Sequence, residues 1–324
     1  MEMLNGAVAA DVFIDNFVII MVGIPGSGKT KMAKSLLNNH SNTVYLSSDE
    51  IRKELCGDEG DQSNNEDVFD LFYDRLNQAL AAGKNAILDA TNLTLKTRKR
   101  IIRAVRAVQH PIKIIAFVMN VDPELCLKRN SERDRVVPEQ VIEKMLCTYQ
   151  HPQKFEGFDE IIFANNPTKR DTGKIVDYLF QMEDFDQNNH HHAFSLGEHS
   201  LRLASAYPDN TVEYEAGIWH DIGKLFTRVN DEYGVSHFIG HANYGAWVVA
   251  ANLDILNTFD KDKIQEILFY INYHMMAHCN IISEKSIKKY TELFGKERID
   301  KLFTFALNDK IATGTWTPEK DVKK

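Results

Sequence analysis

Residues Val18–Val22 form an unbroken apolar run, and Gly23-Ile24-Pro25-Gly26-Ser27-Gly28-Lys29-Thr30 follows it directly. This is the spacing G-x-x-x-x-G-K-[S/T], placed between an expected strand and an expected helix. Glycines let the backbone turn tightly so that successive N–H groups point inward, and the helix opening at Lys29 adds the positive end of its dipole. Gly23, Gly26, Ser27 and Gly28 are therefore expected to cradle phosphates. Lys29 is expected to reach the β- and γ-phosphates, and Thr30 to ligate Mg²⁺. A nucleoside triphosphate, ATP in the simplest case, is the implied ligand.

The segments after the loop alternate. Thr43–Leu46, Asn85–Asp89, Ile112–Val121 and Glu160–Phe163 read as strands. Helices are expected near 29–39, 66–82, 94–108, 123–132, 138–149 and 172–182, with one starting at Ser48 or Asp49 as cap. That alternation predicts an α/β domain, a parallel sheet flanked by helices, over residues 1–184. From about residue 193 every apolar segment has helical period, so residues 185–324 are expected to be all-α. Asp184–His190 reads as the linker.

No apolar run reaches the length of a membrane span, and Cys56, Cys126, Cys147 and Cys279 form no C-x-x-C pair. A cytoplasmic protein with reduced thiols and no membrane partner is expected. The net charge is −8, yet residues 96–135 hold 11 Lys and Arg against 4 Asp and Glu. Such an island suits contact with a polyanion backbone, or is simply a solvated helix face.

Ligands of open parallel sheets bind beyond the carboxyl ends of the strands. Asp49 follows the second expected strand, and Asp89-Ala90-Thr91-Asn92 follows the third. A carboxylate facing the phosphates can orient or deprotonate an acceptor hydroxyl. Arg129 and Arg133 lie four apart and are expected to share a helix face, where their forks could hold phosphate oxygens. The stretches GIPGSGKT, SSDEIRKEL, ILDATNL and KRNSERDRVVPEQVI, in this order, resemble 5′-hydroxyl polynucleotide kinases, over about residues 17–180. The resemblance implies Lys29 and Thr30 on ATP and Mg²⁺, Asp49 as general base on a 5′-hydroxyl, and Arg52 on the acceptor's phosphodiester. It also implies Arg129 and Arg133 as lid arginines on the donor. Asp89 and Asn92 are expected near the substrate.

In the second half, His220-Asp221 closes an apolar helix, with His199 upstream and His241, His274 and Asp309 downstream. Imidazole and carboxylate together suit a transition metal better than Mg²⁺ alone. Lys224 lies one helical turn after His220 and could offset charge on a phosphate. The elements HSL, HDIGK, FIGHANYGA, NYHM and ALNDKIA resemble HD-domain metal phosphohydrolases, over about residues 190–315. The resemblance implies His199, His220, Asp221 and Asp309 as core ligands of Mn²⁺, Ni²⁺, Co²⁺ or Fe²⁺, and His241 and His274 as ligands of a second ion. His192 is expected to touch substrate or orient a ligand. His190 and His191 are read as part of the flexible linker, and His237 and His278 as structural or as supporting a ligand from behind.

Together the two resemblances imply a bifunctional enzyme that heals nucleic-acid ends, RNA ahead of DNA. It would phosphorylate 5′-hydroxyls and remove a 3′-phosphate or 2′,3′-cyclic phosphate. No K-x-D-G motif is present, so a separate ligase is the expected partner. The alternative is a small-molecule kinase for nucleosides or nucleotides, fused to an HD nucleotidase.

Overall fold

The computed structural model describes residues 16–164, 172–278 and 283–316. Cys279 and the side chain of His278 lie outside the described residues. The chain forms two compact units, Met1–Ile142 with Pro152–Lys169, and Glu143–His151 with Arg170–Lys324.

In the first unit, β1 (Phe17–Val22), β2 (Thr43–Ser47), β3 (Asn85–Asp89), β4 (Lys113–Val118) and β5 (Glu160–Phe163) make one sheet in the order β2-β3-β1-β4-β5. All its pairings are parallel. Every residue of β1 is buried, as a central parallel strand covered on both faces requires. Phe17, Ile19 and Met21 share a core with Ala33 of α1 (Lys29–Asn38), Ile87, Ile115 and Phe117. Alternation turns Val18, Ile20 and Val22 to the opposite face.

The other helices of this stretch are α2 (Ser48–Cys56), α3 (Asn65–Ala81), α4 (Leu95–Arg106), α5 (Pro123–Ser131) and α6 (Glu139–Cys147). The cap of α2 is Ser47, whose Oγ accepts from the Glu50 N–H, and not Ser48 or Asp49. Both of those sit in the first turn, where the Asp49 charge still meets the positive end of the dipole. Asp122 caps α5 with Pro123 in its first turn, so its pre-set φ starts the helix without losing a bond.

The second unit is built from α7 (Thr172–Glu183), α8 (Leu196–Ala204), α9 (Val212–Trp219), α10 (Lys224–Thr227), α11 (His241–Ala251), α12 (Lys261–His278), α13 (Glu284–Phe294) and α14 (Lys296–Ala312). α12 packs against α9, α11 and α14. Trp247, Phe269 and Phe305 are fully buried there. The unit is not purely helical: β6 (Val229–Asn230) and β7 (Ser236–His237) pair as a short antiparallel hairpin.

The units do not divide at 184/185. α7 and the stretch Glu143–His151 both belong to the second unit. Tyr149 stacks edge-on against Trp247 at 4.9 Å, the His151 N–H donates to Asn272 Oδ1 at 2.7 Å, and Asn243 Nδ2 donates to the Cys147 carbonyl at 2.7 Å. The expected linker is also part of that unit. Gln187 is buried, and the Nδ2 groups of Asn188 and Asn189 donate to the carbonyls of Gly234 and Ser236.

Candidate functional site

At the carboxyl edge of the sheet, the glycine-rich loop leaves β1 pinned on both sides. The Gly23 N–H donates to the Thr91 carbonyl at 3.1 Å, and the Met119 N–H to the Val22 carbonyl at 2.8 Å. Asn92 Nδ2 donates to the Met21 carbonyl at 2.8 Å. Its amide thus holds the loop that follows β3 against β1. Gly26 has φ +78°, and a Cβ there would run into the Cys126 carbonyl, so only glycine fits. Burial pushes the neighbouring Cys126 thiol up to about 12.

Lys29 is buried and folds back, with Nζ 2.9 Å from the Ile24 carbonyl. Burial lowers its pKa, against the pull of the Asp89 and Asp49 carboxylates and with a push from Arg133. Asp49, Asp89 and Arg133 are therefore close enough to Lys29 to act on its charge. The buried Ser27 Oγ has no hydrogen-bond partner among the described residues, which suits a phosphate oxygen. Thr30 is exposed at the start of α1. Asp89 accepts from the Tyr45 hydroxyl at 2.7 Å.

Asp49 is half exposed and lies 2.7 Å from Arg52 Nη1. Arg52 is buried, its Nη2 donates to Asn65 Oδ1 at 3.0 Å, and its Nε has no partner among the described residues. Arg129 and Arg133 do not share a helix face. α5 ends at Ser131, so Arg129 is helical and Arg133 lies in the turn beyond. The same turn carries an arginine with no role assigned from sequence: Arg135 approaches Asp49 and Glu59, each at 3.7 Å.

The basic island is partly neutralised. Arg98 pairs with Glu156, Arg100 with Asp70, Arg106 with Asp159 and Lys113 with Glu160. Arg98 and Glu156 are fully buried, and Arg98 Nη1 also donates to the Asn92 carbonyl at 3.0 Å.

In the second unit the six expected ligands come together, all buried. His199 Nε2 is 2.9 Å from Asp309 Oδ1 and 3.4 Å from Asp221 Oδ2. His220 Nε2 is 3.2 Å from that same Asp221 oxygen and 3.4 Å from Asp309 Oδ1. On the other side of the carboxylate, Asp221 Oδ1 lies 3.0 Å from His241 Nε2 and 3.5 Å from His274 Nε2. Asp221 thus has one oxygen toward each pair of imidazoles.

The ring orientations follow from the helices. The Nδ1 atoms of His220, His241 and His274 sit 2.9, 2.7 and 2.9 Å from the carbonyls of Gly217, Phe238 and Ile271. A carbonyl only accepts, so each Nδ1 carries the hydrogen, and a ring that is neutral turns the Nε2 lone pair inward. Burial lowers His220, but the Asp221 and Asp309 carboxylates outweigh it and raise it to about 10, so a bound metal would take the place of its Nε2 proton. His241 and His274 Nε2 then face each other at 3.3 Å. Two lone pairs at that distance repel unless a cation lies near them, so this donor set fits a divalent metal. Burial drives His274 down to about 4, which keeps it neutral. Asp221 is held well below the usual carboxylate range: burial works against this, and His220, Lys224 and His241 outweigh it. Gly223 lets α10 come close to α11, because a Cβ there would strike the His241 carbonyl.

Lys224 Nζ lies 2.6 Å from Asp221 Oδ2, 2.8 Å from Gln187 Oε1 and 3.4 Å from His192 Nε2. Gln187, which carries no motif, was not singled out by sequence. A cavity of about 880 Å³ opens over this cluster, with His192, Lys224, His241 and Asp309 on its wall. His191 and His237 also line it; the His191 ring lies 3.9 Å from the His190 ring at a 43° tilt, and His237 Nε2 lies 2.9 Å from Asp231 Oδ2.

A family model described as an AAA domain matches residues 18–152. Among solved structures, a chain of the Pnkp1/Rnl/Hen1 RNA repair complex is similar at 24% identity and TM-score 0.37. The match covers 42% of this chain and 44% of that one, so it spans less than half of that relative's length. Kti12 from Chaetomium thermophilum, in complex with ADP-AlF3, is similar at 16% identity and TM-score 0.38, over 49% of this chain and 94% of that one. A gluconokinase from Sinorhizobium meliloti is similar at 14% identity and TM-score 0.35, over 51% and 90%. The first unit, a five-stranded parallel sheet flanked by helices with the glycine-rich loop directly after β1, fits a P-loop domain. No helix of the described residues is long and apolar enough to cross a membrane.

Proposed function

We propose that the chain heals nucleic-acid ends, RNA ends in particular. Its first unit would phosphorylate a 5′-hydroxyl from ATP. Its second, an HD-type domain, would hydrolyse a 3′-phosphate or 2′,3′-cyclic phosphate. What supports this most is one chain holding two complete donor sets: a phosphate loop with the Asp49–Arg52 pair beside it, and the buried His/Asp cluster.

In the kinase step, the loop N–H groups, Ser27 and Lys29 bind the donor phosphates, and Thr30 would hold Mg²⁺, which would offset charge on those phosphates. Asp49 accepts the proton of the attacking hydroxyl, and Arg52, which fixes that carboxylate, would also meet the acceptor's phosphodiester. Arg129 and Arg133 close on the charge that develops. The Asp89 carboxylate acts on the charge of Lys29, Asn92 Nδ2 holds the loop after β3 against β1, and both residues lie on the side where the substrate would bind.

In the hydrolytic step, His199, His220, Asp221 and Asp309 would hold one divalent ion such as Mn²⁺, Ni²⁺, Co²⁺ or Fe²⁺. His241 and His274 would hold a second, with Asp221 between them. Such ions lower the pKa of water and polarise phosphoryl oxygens. Lys224, anchored by Gln187, holds a phosphate oxygen, and His192 lies beside it. Sealing the product ends falls to a separate ligase.

The ion-paired basic island and the net charge of −8 favour a second reading, a nucleoside or nucleotide kinase joined to a nucleotidase. Incubation with γ-labelled ATP, Mg²⁺ and a 5′-hydroxyl oligonucleotide, in competition with free nucleosides, decides. Label on the oligonucleotide supports the first reading. Label on nucleosides alone overturns it.

A further inference from the structure

The second pair of imidazoles sits on a helix contact that the histidines alone do not hold together. His241 opens α11 and His274 lies in α12, with their Nε2 atoms 3.3 Å apart. Two residues on from His241 and two before His274, Asn272 Nδ2 donates to Asn243 Oδ1 at 2.8 Å. These are neighbouring rungs between the same two helices. The imidazole rung sets lone pair against lone pair, which repel when no cation is there. The asparagine rung is an ordinary hydrogen bond and draws the helices together.

Both amides are fixed by a segment from outside that helix pair. Asn243 Nδ2 donates to the Cys147 carbonyl at 2.7 Å. Asn272 Nδ2 also donates to the Tyr149 carbonyl at 3.1 Å, and its Oδ1 accepts from the His151 N–H at 2.7 Å. Backbone carbonyls only accept and a backbone N–H only donates, so neither amide can flip without losing these bonds. The segment Cys147–His151 is itself well seated. Tyr149 and His151 are fully buried. The Tyr149 ring meets Trp247 of α11 edge-on at 4.9 Å, and His151 Nε2 lies 3.3 Å from Gln265 Nε2 of α12. Gly240, the residue before His241, has φ +82°, and a Cβ there would lie 2.5 Å from the Cys147 Cβ. Glycine thus lets the segment rest against the start of α11.

We propose that Cys147–His151 is a strap that preorganises the His241–His274 pair for the second metal ion. Asn243 and Asn272 are its positioning residues, carrying its hold to the two ligands. This rests on the reading that the cluster holds two ions. With the strap in place, the two Nε2 atoms keep their spacing before an ion arrives, so less is lost to ordering on binding. Partners behind a metal ligand are worth about 10–100-fold in metal affinity. The first ion's ligands His199, His220 and Asp309 come from α8, the end of α9 and α14, so its affinity should not follow the strap. The strap lies well before residue 185. The second-ion half of the site is therefore not encoded by residues 185–324 alone.

Mn²⁺ titration of the metal-stripped full-length chain, followed by electron paramagnetic resonance, tests this without turnover. Two ions on either side of one carboxylate couple magnetically, and a single bound ion does not. The wild type should take up two ions and show the coupled signal. Asn272→Ala and Asn243→Ala should each leave the first ion's affinity unchanged and weaken the second by about tenfold or more. At a Mn²⁺ level that fills both wild-type sites, the coupled signal should then give way to that of an isolated ion. His274→Ala, which removes a ligand outright, sets the scale of complete loss. Circular dichroism of the stripped proteins checks the fold. Asn243 is only half-buried, and Asn243→Ala leaves the bonds from Asn272 to the strap in place, so it serves if Asn272→Ala does not fold. An undiminished second-ion affinity in a folded variant, or equal weakening of both ions, overturns the strap. A wild type that takes up one ion at most contradicts the two-ion reading itself, a result seen before any variant is compared.

Discussion

Glu156→Ala should destabilise the first unit selectively. Arg98 and Glu156 are wholly buried and meet in a two-point fork, with Nε to Oε2 at 2.8 Å and Nη2 to Oε1 at 2.7 Å. The alanine variant leaves a guanidinium in a dry interior with its counter-charge gone. It also removes the acceptor of the Gln153 N–H, at 2.9 Å from Oε1. Breaking one side of a buried pair costs about 3–5 kcal/mol. At about 2 kcal/mol per molar of urea, this lowers the midpoint by roughly 2 M. All three tryptophans, Trp219, Trp247 and Trp316, lie in the second unit. Far-ultraviolet circular dichroism sees both units, and tryptophan fluorescence sees the second, so the loss should appear as an early phase in dichroism alone. The Arg98→Leu/Glu156→Leu pair should recover most of it, because two apolar groups leave no charge stranded. ATP affinity should fall with Glu156→Ala, because Arg98 also holds the Asn92 carbonyl behind the phosphate loop. A dichroism midpoint within roughly 0.5 M of the wild type would refute the reasoning.

Three further outcomes follow from local geometry. Gly26→Ala forces a left-handed φ on a residue whose Cβ meets the Cys126 carbonyl, so binding of a fluorescent ATP analogue should weaken at least tenfold by titration. Cys126, with its thiol raised to about 12 by burial, stays protonated at pH 8. Mass spectrometry after iodoacetamide treatment of the native protein should find Cys56 alkylated and Cys126 not. Asp221→Ala removes the carboxylate that lies between the two imidazole pairs, so elemental analysis after dialysis should find bound divalent metal reduced to less than a tenth of the wild-type content.

Local patterns carried much of this molecule. The Val18–Thr30 stretch foretold β1, its loop and α1, because a buried strand and a glycine-rich turn each leave a signature within a few residues. The histidines foretold a shared site, because imidazole and carboxylate are costly to bury without purpose. What escaped the sequence was set at long range. Nothing local shows that Arg98 meets Glu156, or that Arg100 meets Asp70, so the basic island read as freer than it is. Gln187 looked like linker, and becomes an anchor only because Lys224 folds back onto it. Glu143–His151 follows the Arg129–Arg135 stretch of the first unit in sequence, yet packs on α11 and α12 through Asn243 and Asn272. The helix ends were missed by small steps. Ser47 caps α2 one residue before the expected site, and α5 stops before Arg133. The two-residue strands β6 and β7 are too short for any period to show.

The central claim, two opposite phosphate chemistries in one chain, is tested most directly on a single RNA bearing a 5′-hydroxyl and a 3′-phosphate. With ATP, Mg²⁺ and Mn²⁺, mass spectrometry should find the product phosphorylated at its 5′ end and free of phosphate at its 3′ end. Asp49→Asn should stop only the first change and His220→Ala only the second. An RNA unchanged at both ends under every metal tried, or one variant abolishing both changes, would contradict the account.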